Sequence, residues 1–271
     1  MSFAGGNWEG LALKSLSLYE LRLAYERQEI TFEDLLELLK TDTRKGLMSL
    51  VACISEQRKK ERQRIERYHR MMEAEQSLRG KGFQFVAGLD EVGRGPLAGP
   101  VVTAAVILDP DHPIYGLRDS KKLTKHQRAE LAEEIRDKAI CISLHEHSNE
   151  VIDRINILEA TKDSMLQALK QMKVQPQHLL IDALRLDCSI PQTGLIGGDD
   201  RCLCIAAASI VAKVHRDQRM VEYHAIYPVY GFDRHVGYGS QEHLEAIRTY
   251  GPSPIHRRSF LRNILQGNPI K

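Results

Sequence analysis

The chain has 271 residues, 42% of them hydrophobic and 27% charged, which suits one large globular domain or one domain with an extension. A formal net charge of +2 excludes a protein that binds nucleic acid over its whole surface, so any basic footprint must be local. No apolar run is long enough to cross a membrane, and the first residues, MSFAGGNWEG, carry neither the basic nor the apolar region of an export signal, so the expected location is the cytoplasm.

Residues 1–80 read as an all-helical extension. Ser17-x-x-Glu20 and Thr31-x-x-Asp34 are capping pairs that precede leucine-rich segments. Leu47, Leu50, Val51 and Ile54 recur at helical spacing, so a third helix starts near Arg44 and continues to about Leu78. It carries RKKERQRIERYHR, residues 58–70, which reads either as a solvated helix face or as a phosphate-contacting strip. Gly80-Lys81-Gly82 is the expected hinge into a main domain over 83–271.

From Phe83 the pattern alternates between strands and helices, an α/β layer structure. Phe83–Leu89 reads as a buried strand that ends in Asp90 and Glu91. Three glycines (Gly93, Gly95 and Gly99) follow, with a second strand over Val101–Leu108. Thr124–Lys138 reads as a helix, Ala139–His145 as a strand, Asn149–Met172 as a helix, and Leu179–Ile181 as a short strand ending in Asp182. The apolar pair Leu195-Ile196 precedes Gly197-Gly198-Asp199-Asp200. A long helix then stripes Leu203, Ala207, Ile210, Val211 and Val214, and further helices are expected at Gln241–Thr249 and Arg258–Leu265.

Three apolar segments thus end in acids: Asp90-Glu91, Asp182 and Asp199-Asp200. Side by side, such strands gather four or five carboxylates at one sheet edge, which requires raised pKa values or intervening cations. Carboxylates and water are the ordinary ligands of Mg²⁺ or Mn²⁺, and two such ions about 4 Å apart serve phosphoryl transfer. The glycines do not fit a dinucleotide fingerprint, because Gly93-x-Gly95-x-x-x-Gly99 follows acids and leads into a strand. The five cysteines lack paired CxxC spacing; Cys202-x-Cys204 alone is a weak indication of zinc, and free thiols are expected.

The segments DEVGRGPLAGPVV, DSKKL, LLIDA, GGDDRCLCIAAASIVAKV, YGFDRHVGYGS and HRRSF, in this order over Phe83 to about Leu265, resemble the ribonuclease HII family. That resemblance implies a ribonuclease H-like fold, a mixed sheet flanked by helices. It also implies a metal-dependent endonuclease that cuts RNA–DNA hybrids and nicks duplex DNA 5′ to an embedded ribonucleotide, in replication and ribonucleotide excision repair. Its metal-site acids fall on Asp90, Glu91, Asp182 and Asp199, with two Mg²⁺ or Mn²⁺ ions in the substrate complex. Its ribose-reading turn falls on Gly93, Arg94 and Gly95, its sugar-stacking tyrosine on Tyr238, and further substrate contacts on Lys121, Lys122, Ser240 and Arg257. A monomer is expected.

The sequence departs from the family pattern at Gly197 and Val236, where lysines are usual, and at Asp200, where small residues are usual; the residues alone give no account of Asp200. A type 3 ribonuclease H and a hybrid-binding protein without turnover are the alternatives. Bland explanations suit His145-x-His147 (solvated or hydrogen-bonded), Trp8 (local packing), and Tyr223, Tyr227 and Tyr230 (packing rather than base stacking).

Overall fold

The computed structural model describes residues 13–265, so Trp8 lies outside the described residues. The chain divides into two compact units, 1–66 and 67–271. In the first, helices α1 (Leu18–Glu26) and α2 (Phe32–Leu39) begin in the two capping boxes, Ser17 with Glu20 and Thr31 with Asp34. They pack with the start of α3 (Lys45–Met71) through Leu21, Leu35, Leu38, Leu47, Val51 and Ile54. Arg58 of the basic strip is spent locally: it lies over the Phe32 ring and 3.6 Å from Glu33. The expected single long helix stops at Met71, and α4 (Glu73–Gly80) is a separate piece.

The second unit is built on a five-stranded mixed sheet of order β3-β2-β1-β4-β5. Its strands are β1 (Val86–Val92), β2 (Val101–Ile107), β3 (Cys141–His147), β4 (His178–Asp182) and β5 (Gln192–Leu195). β1–β2 and β2–β3 pair antiparallel, while β1–β4 and β4–β5 pair parallel. β1 runs on to Val92 because β2 continues to pair with it, Asp90 opposite Ala104 and Glu91 opposite Thr103. The acids therefore lie within the strand rather than past its end, held by the ladder to β2, while the pairing with β4 stops at Leu89.

Both faces of the sheet are covered, which is why its central strands read as continuous apolar runs. Ala87, Leu89, Leu179 and Ile181 face α7 (Ile157–Gln171), packing on Met165, Ala168 and Leu169. Residues of the opposite parity, Val86 and Leu180, face the start of α8 (Leu203–Ile226) at Cys204 and Ile205. Gly88 lets that helix touch the strand: a Cβ there would stand 2.1 Å from the Cys204 carbonyl carbon. The same two-residue period puts Asp90 and Asp182 on the α8 side.

The helix expected over 149–172 is broken into α6 (Asn149–Ile155) and α7 by Asn156. That residue takes φ +67° and caps α7 through the amides of Leu158 and Glu159. α5 (Lys125–Lys138) lies between β2 and β3 in sequence. The carboxy-terminal segment, with α9 (Phe232–His235), α10 (Gln241–Tyr250) and α11 (Arg258–Leu265), folds back over the glycine turn. Leu97 N–H bonds the Gly237 carbonyl, Gly99 N–H that of Ile255, and Arg257 N–H that of Leu97. Among the described residues no helix is long and apolar enough to cross a membrane.

Candidate active site

β1 and β4 run parallel with Leu89 beside Ile181, so Asp90 and Asp182 occupy the next positions on adjacent strands. Asp90 is buried and accepts the Glu91 amide at 2.8 Å and the Ser209 hydroxyl of α8. Burial drives its pKa well up, and the neighbouring charges of Glu91 and Asp182 push the same way. Burial raises Glu91 to about 7, against the pull of Arg94 at 3.3 Å and with the Asp182 charge adding to it. The Glu91 Oε2 atom is buried with no hydrogen-bond partner.

Asp182 accepts the Gly198 amide at 2.9 Å, which fastens the end of β4 to the turn that carries Asp199. Asp199 is half-buried; burial raises its pKa, followed by the charges of Asp119 and Asp182, while Lys121 opposes them. The four acids named from sequence are therefore electrostatic neighbours, all in the second unit. Asp119, which the sequence reading did not single out, is hydrogen-bonded to Asp199 and caps the turn Ser120–Lys122 through the Lys121 amide at 2.9 Å. Its signal was the acid opening DSKKL, a capping residue before two lysines.

Beside the acids the chain turns through Gly93 at φ +97°, where a Cβ would meet Arg216 Nε at 2.2 Å. Two fully buried arginines grip this turn from behind. Arg257 donates to the carbonyls of Gly93 (2.6 Å), Arg94 (2.9 Å), Gly99 (3.0 Å) and Pro100 (3.1 Å). Arg216 donates to those of Pro100 (3.0 Å), Val236 (2.9 Å) and Ala98 (3.1 Å). Burial lowers the pKa of Arg257 to about 9 and of Arg216 to about 10.

This corrects the expectation that Arg257 contacts substrate phosphate: its guanidinium faces inward and is consumed by the backbone. The geometry has a consequence on the other side of the turn. In a planar trans peptide C=O and N–H point in opposite directions, so carbonyls of Gly93 and Arg94 drawn inward leave the amides of Arg94 and Gly95 facing away from Arg257.

Tyr238 is 47% exposed, and its ring edge lies 3.6 Å from where a Gly95 Cβ would stand. Behind it His243 Nδ1 donates to the Tyr238 carbonyl at 2.8 Å, so its Nε2 accepts from His256 Nε2 at 2.9 Å. His256 Nδ1 in turn accepts from the Ser253 amide and hydroxyl. This chain of donors is complete with both rings neutral, and burial lowers each histidine to about 4.

Lys121 and Lys122 are exposed, and Lys122 is 2.7 Å from Asp200, which also meets Arg67 at 3.4 Å. Asp200 thus has partners the sequence did not supply, the cations of Lys122 and Arg67. Ser240 caps α10, accepting the His243 amide. Away from the site, His147 bonds Asp163 and His145 meets Gln171, while Tyr230 is buried and donates to the Gly251 carbonyl.

A five-stranded mixed sheet with helices on both faces and acids on its two central parallel strands is a ribonuclease H-like fold. Solved structures align accordingly: ribonuclease H2 from Pyrococcus horikoshii (28% identity, TM-score 0.56, 67% of this chain and 97% of that one), and ribonuclease HII from Archaeoglobus fulgidus solved with PCNA (26%, TM-score 0.56, 66% and 96%). Residues 87–263 match the ribonuclease HII family and residues 19–79 the ribonuclease HII N-terminal domain. Relatives include ribonuclease HII of Bacillus cytotoxicus, 50% identical over 224 residues (83% of this chain, 86% of the relative), and of Bacillus cereus, 50% identical over 228 residues (84% and 89%). The chain belongs to the ribonuclease HII family and is a ribonuclease H enzyme, and the matched helical N-terminal domain sets the type 3 alternative aside.

Proposed function

We propose that this enzyme hydrolyses the phosphodiester 5′ to a ribonucleotide, in RNA–DNA hybrids and at single ribonucleotides within duplex DNA, leaving 3′-hydroxyl and 5′-phosphate ends. The observation that carries this reading is the surplus of crowded carboxylate: Asp90 and Glu91 are pushed toward protonation by burial, and Glu91 Oε2 has no donor. Oxygen-rich, anion-heavy sites of this kind suit Mg²⁺ or Mn²⁺, and Asp90, Glu91, Asp182 and Asp199 are the residues that would hold them. Bound there, two such cations would acidify an attacking water and neutralise charge on the departing oxygen.

The rest of the work falls to the chain itself. The amides of Arg94 and Gly95 meet the ribose 2′-hydroxyl and the adjoining phosphate, a selection for RNA that backbone groups make where no Cβ intervenes. The Tyr238 ring packs on the neighbouring sugar. Lys121, Lys122 and Ser240 hold flanking phosphates, which sets position without reading bases. Arg257 positions the turn rather than touching substrate. Residues 1–80 form the extension and 83–271 the catalytic domain, with the exposed basic strip of α3 adding contacts to the duplex. A duplex with one ribonucleotide, incubated with Mg²⁺ or Mn²⁺, tests the reading: a nick 5′ to the ribose is expected. Tight binding without cutting would favour a non-catalytic hybrid binder, and a nick indifferent to the ribose would defeat the proposed selection.

A further inference from the structure

Away from the carboxylates, one other cluster has the composition of a metal site. Among the described residues, Glu75, Cys202 and Cys204 form the one group of three ligand side chains whose donor atoms all lie within 4.8 Å of one another. The sequence offered only Cys202-x-Cys204, too little for zinc. The fold adds Glu75 from α4, 127 positions from Cys202 along the chain. All three side chains are buried, Glu75 to 4% exposure and both cysteines to 0%.

The spacing suits a tetrahedral ion. Cys202 Sγ is 3.4 Å from Cys204 Sγ and 3.5 Å from Glu75 Oε1. Zinc bonded to thiolate at about 2.3 Å and carboxylate at about 2.0 Å needs donor separations of roughly 3.5–3.8 Å, so small shifts would complete one face of the tetrahedron. A second observation points the same way. Glu75 Oε1 accepts the Cys204 amide at 2.8 Å, but Oε2 is buried with no hydrogen-bond partner, and Glu75 forms no ion pair among the described residues. An enclosed carboxylate left half-satisfied calls for a proton or a cation. A cavity of about 20 Å³ bordered by Glu75, Leu203, Tyr68 and Met72 has room for one water beside that carboxylate.

We propose that Glu75, Cys202 and Cys204 bind one thiophilic divalent cation of the zinc class, fastening α4 to the amino-terminal turn of α8. Ligand softness keeps the two sites apart, since thiolates select zinc-like ions and the carboxylate cluster takes hard ones. Without metal, burial holds both thiols protonated, so loading releases protons and tightens as pH rises. α8 begins three residues after Asp200, so a loaded ion would brace the turn that carries Asp199.

The test uses the full-length reduced protein, stripped with chelator and held in excess Mg²⁺, then given Co²⁺ either when folded or during refolding. In at least one protocol, one equivalent of Co²⁺ should bind with a thiolate charge-transfer band. The Cys202→Ser/Cys204→Ser double variant, which keeps shape and hydrogen bonding, should lose the band. Zn²⁺ at a hundredfold excess over Kd should raise Tm by about 5 °C or more in the parent and not in the double variant. No band in either protocol, or an equal band in the double variant, overturns the site. Nicking by the double variant in Mg²⁺ is scored separately, so failure here leaves the proposed function standing.

Discussion

Gly88→Ala is the substitution whose cost the structure sets most sharply. An alanine Cβ at this point of β1 would lie 2.1 Å from the carbonyl carbon of Cys204, 2.4 Å from its oxygen and 2.4 Å from the Ile205 nitrogen. Ordinary van der Waals separation is about 3.5–4.0 Å between carbons, so β1 and α8 must part by more than 1 Å, roughly. Both sides of the contact are backbone, and no rotamer can absorb it. Overpacking costs about 1–3 kcal/mol, and this rigid case belongs at the upper end. For a chain of this size that lowers Tm by about 6–12 °C. Thermal unfolding followed by circular dichroism measures it, with Gly80→Ala as the control because no atom lies within 4 Å of its added Cβ. A Gly88→Ala protein melting within 1 °C or so of the parent would refute the close packing of strand on helix.

The buried histidine pair sets an acid limit. His243 and His256 are held near 4 against an ordinary 6.5; the unfolded chain binds protons first, so their contribution is whole above about pH 6.5 and lost as pH falls toward 4. One such histidine accounts for ~3 kcal/mol, and denaturant midpoints at pH 7, 5.5 and 4.5 should fall in that order; a flat series contradicts the neutral network. Arg257→Lys retains charge but cannot span four carbonyls, so kcat/KM on a one-ribonucleotide duplex should drop about tenfold, ~1.4 kcal/mol, with the fold intact by circular dichroism. Unchanged kinetics would contradict its hold on the turn. Asp200→Ala frees Lys122 and Arg67; exposed pairs are weak, so substrate Kd should tighten only about two- to fivefold, with a steeper salt dependence. Weaker binding would show that Asp200 places the cations rather than competing for them.

Much of this molecule is legible in its sequence because local rules agree with the fold. Both capping boxes form as written, and the long helix buries Leu203, Ala207, Ile210 and Val211 along its stripe. Strand limits were less legible: apolar runs mark burial, but pairing decides length, and β1 extends through two acids because β2 lies opposite them. Asn156 splits an uninterrupted helical pattern by taking a left-handed φ that periodicity cannot signal. At the site, carboxylates stand out in sequence because charge after an apolar run is conspicuous. The role of Arg257 does not, since a buried guanidinium bonded to carbonyls and an exposed one waiting for phosphate are written with the same letter. Asp119 and Asp200 depend on partners distant in sequence, as does Glu75.

The burial of Glu91 beside its fellow acids is the claim most directly open to measurement. Its carboxyl sits near 7 rather than 4.5, so in the metal-free protein its ionisation costs stability that is absent below about pH 4.5 and fully felt above about pH 7. Glu91→Gln, compared with the parent in chelator at pH 8, should raise unfolding free energy by up to ~3 kcal/mol, with the gain gone at pH 4.5. The same protein should fail to nick a one-ribonucleotide duplex in Mg²⁺ or Mn²⁺. A variant that is no more stable at pH 8 and still cuts would contradict the account at its centre.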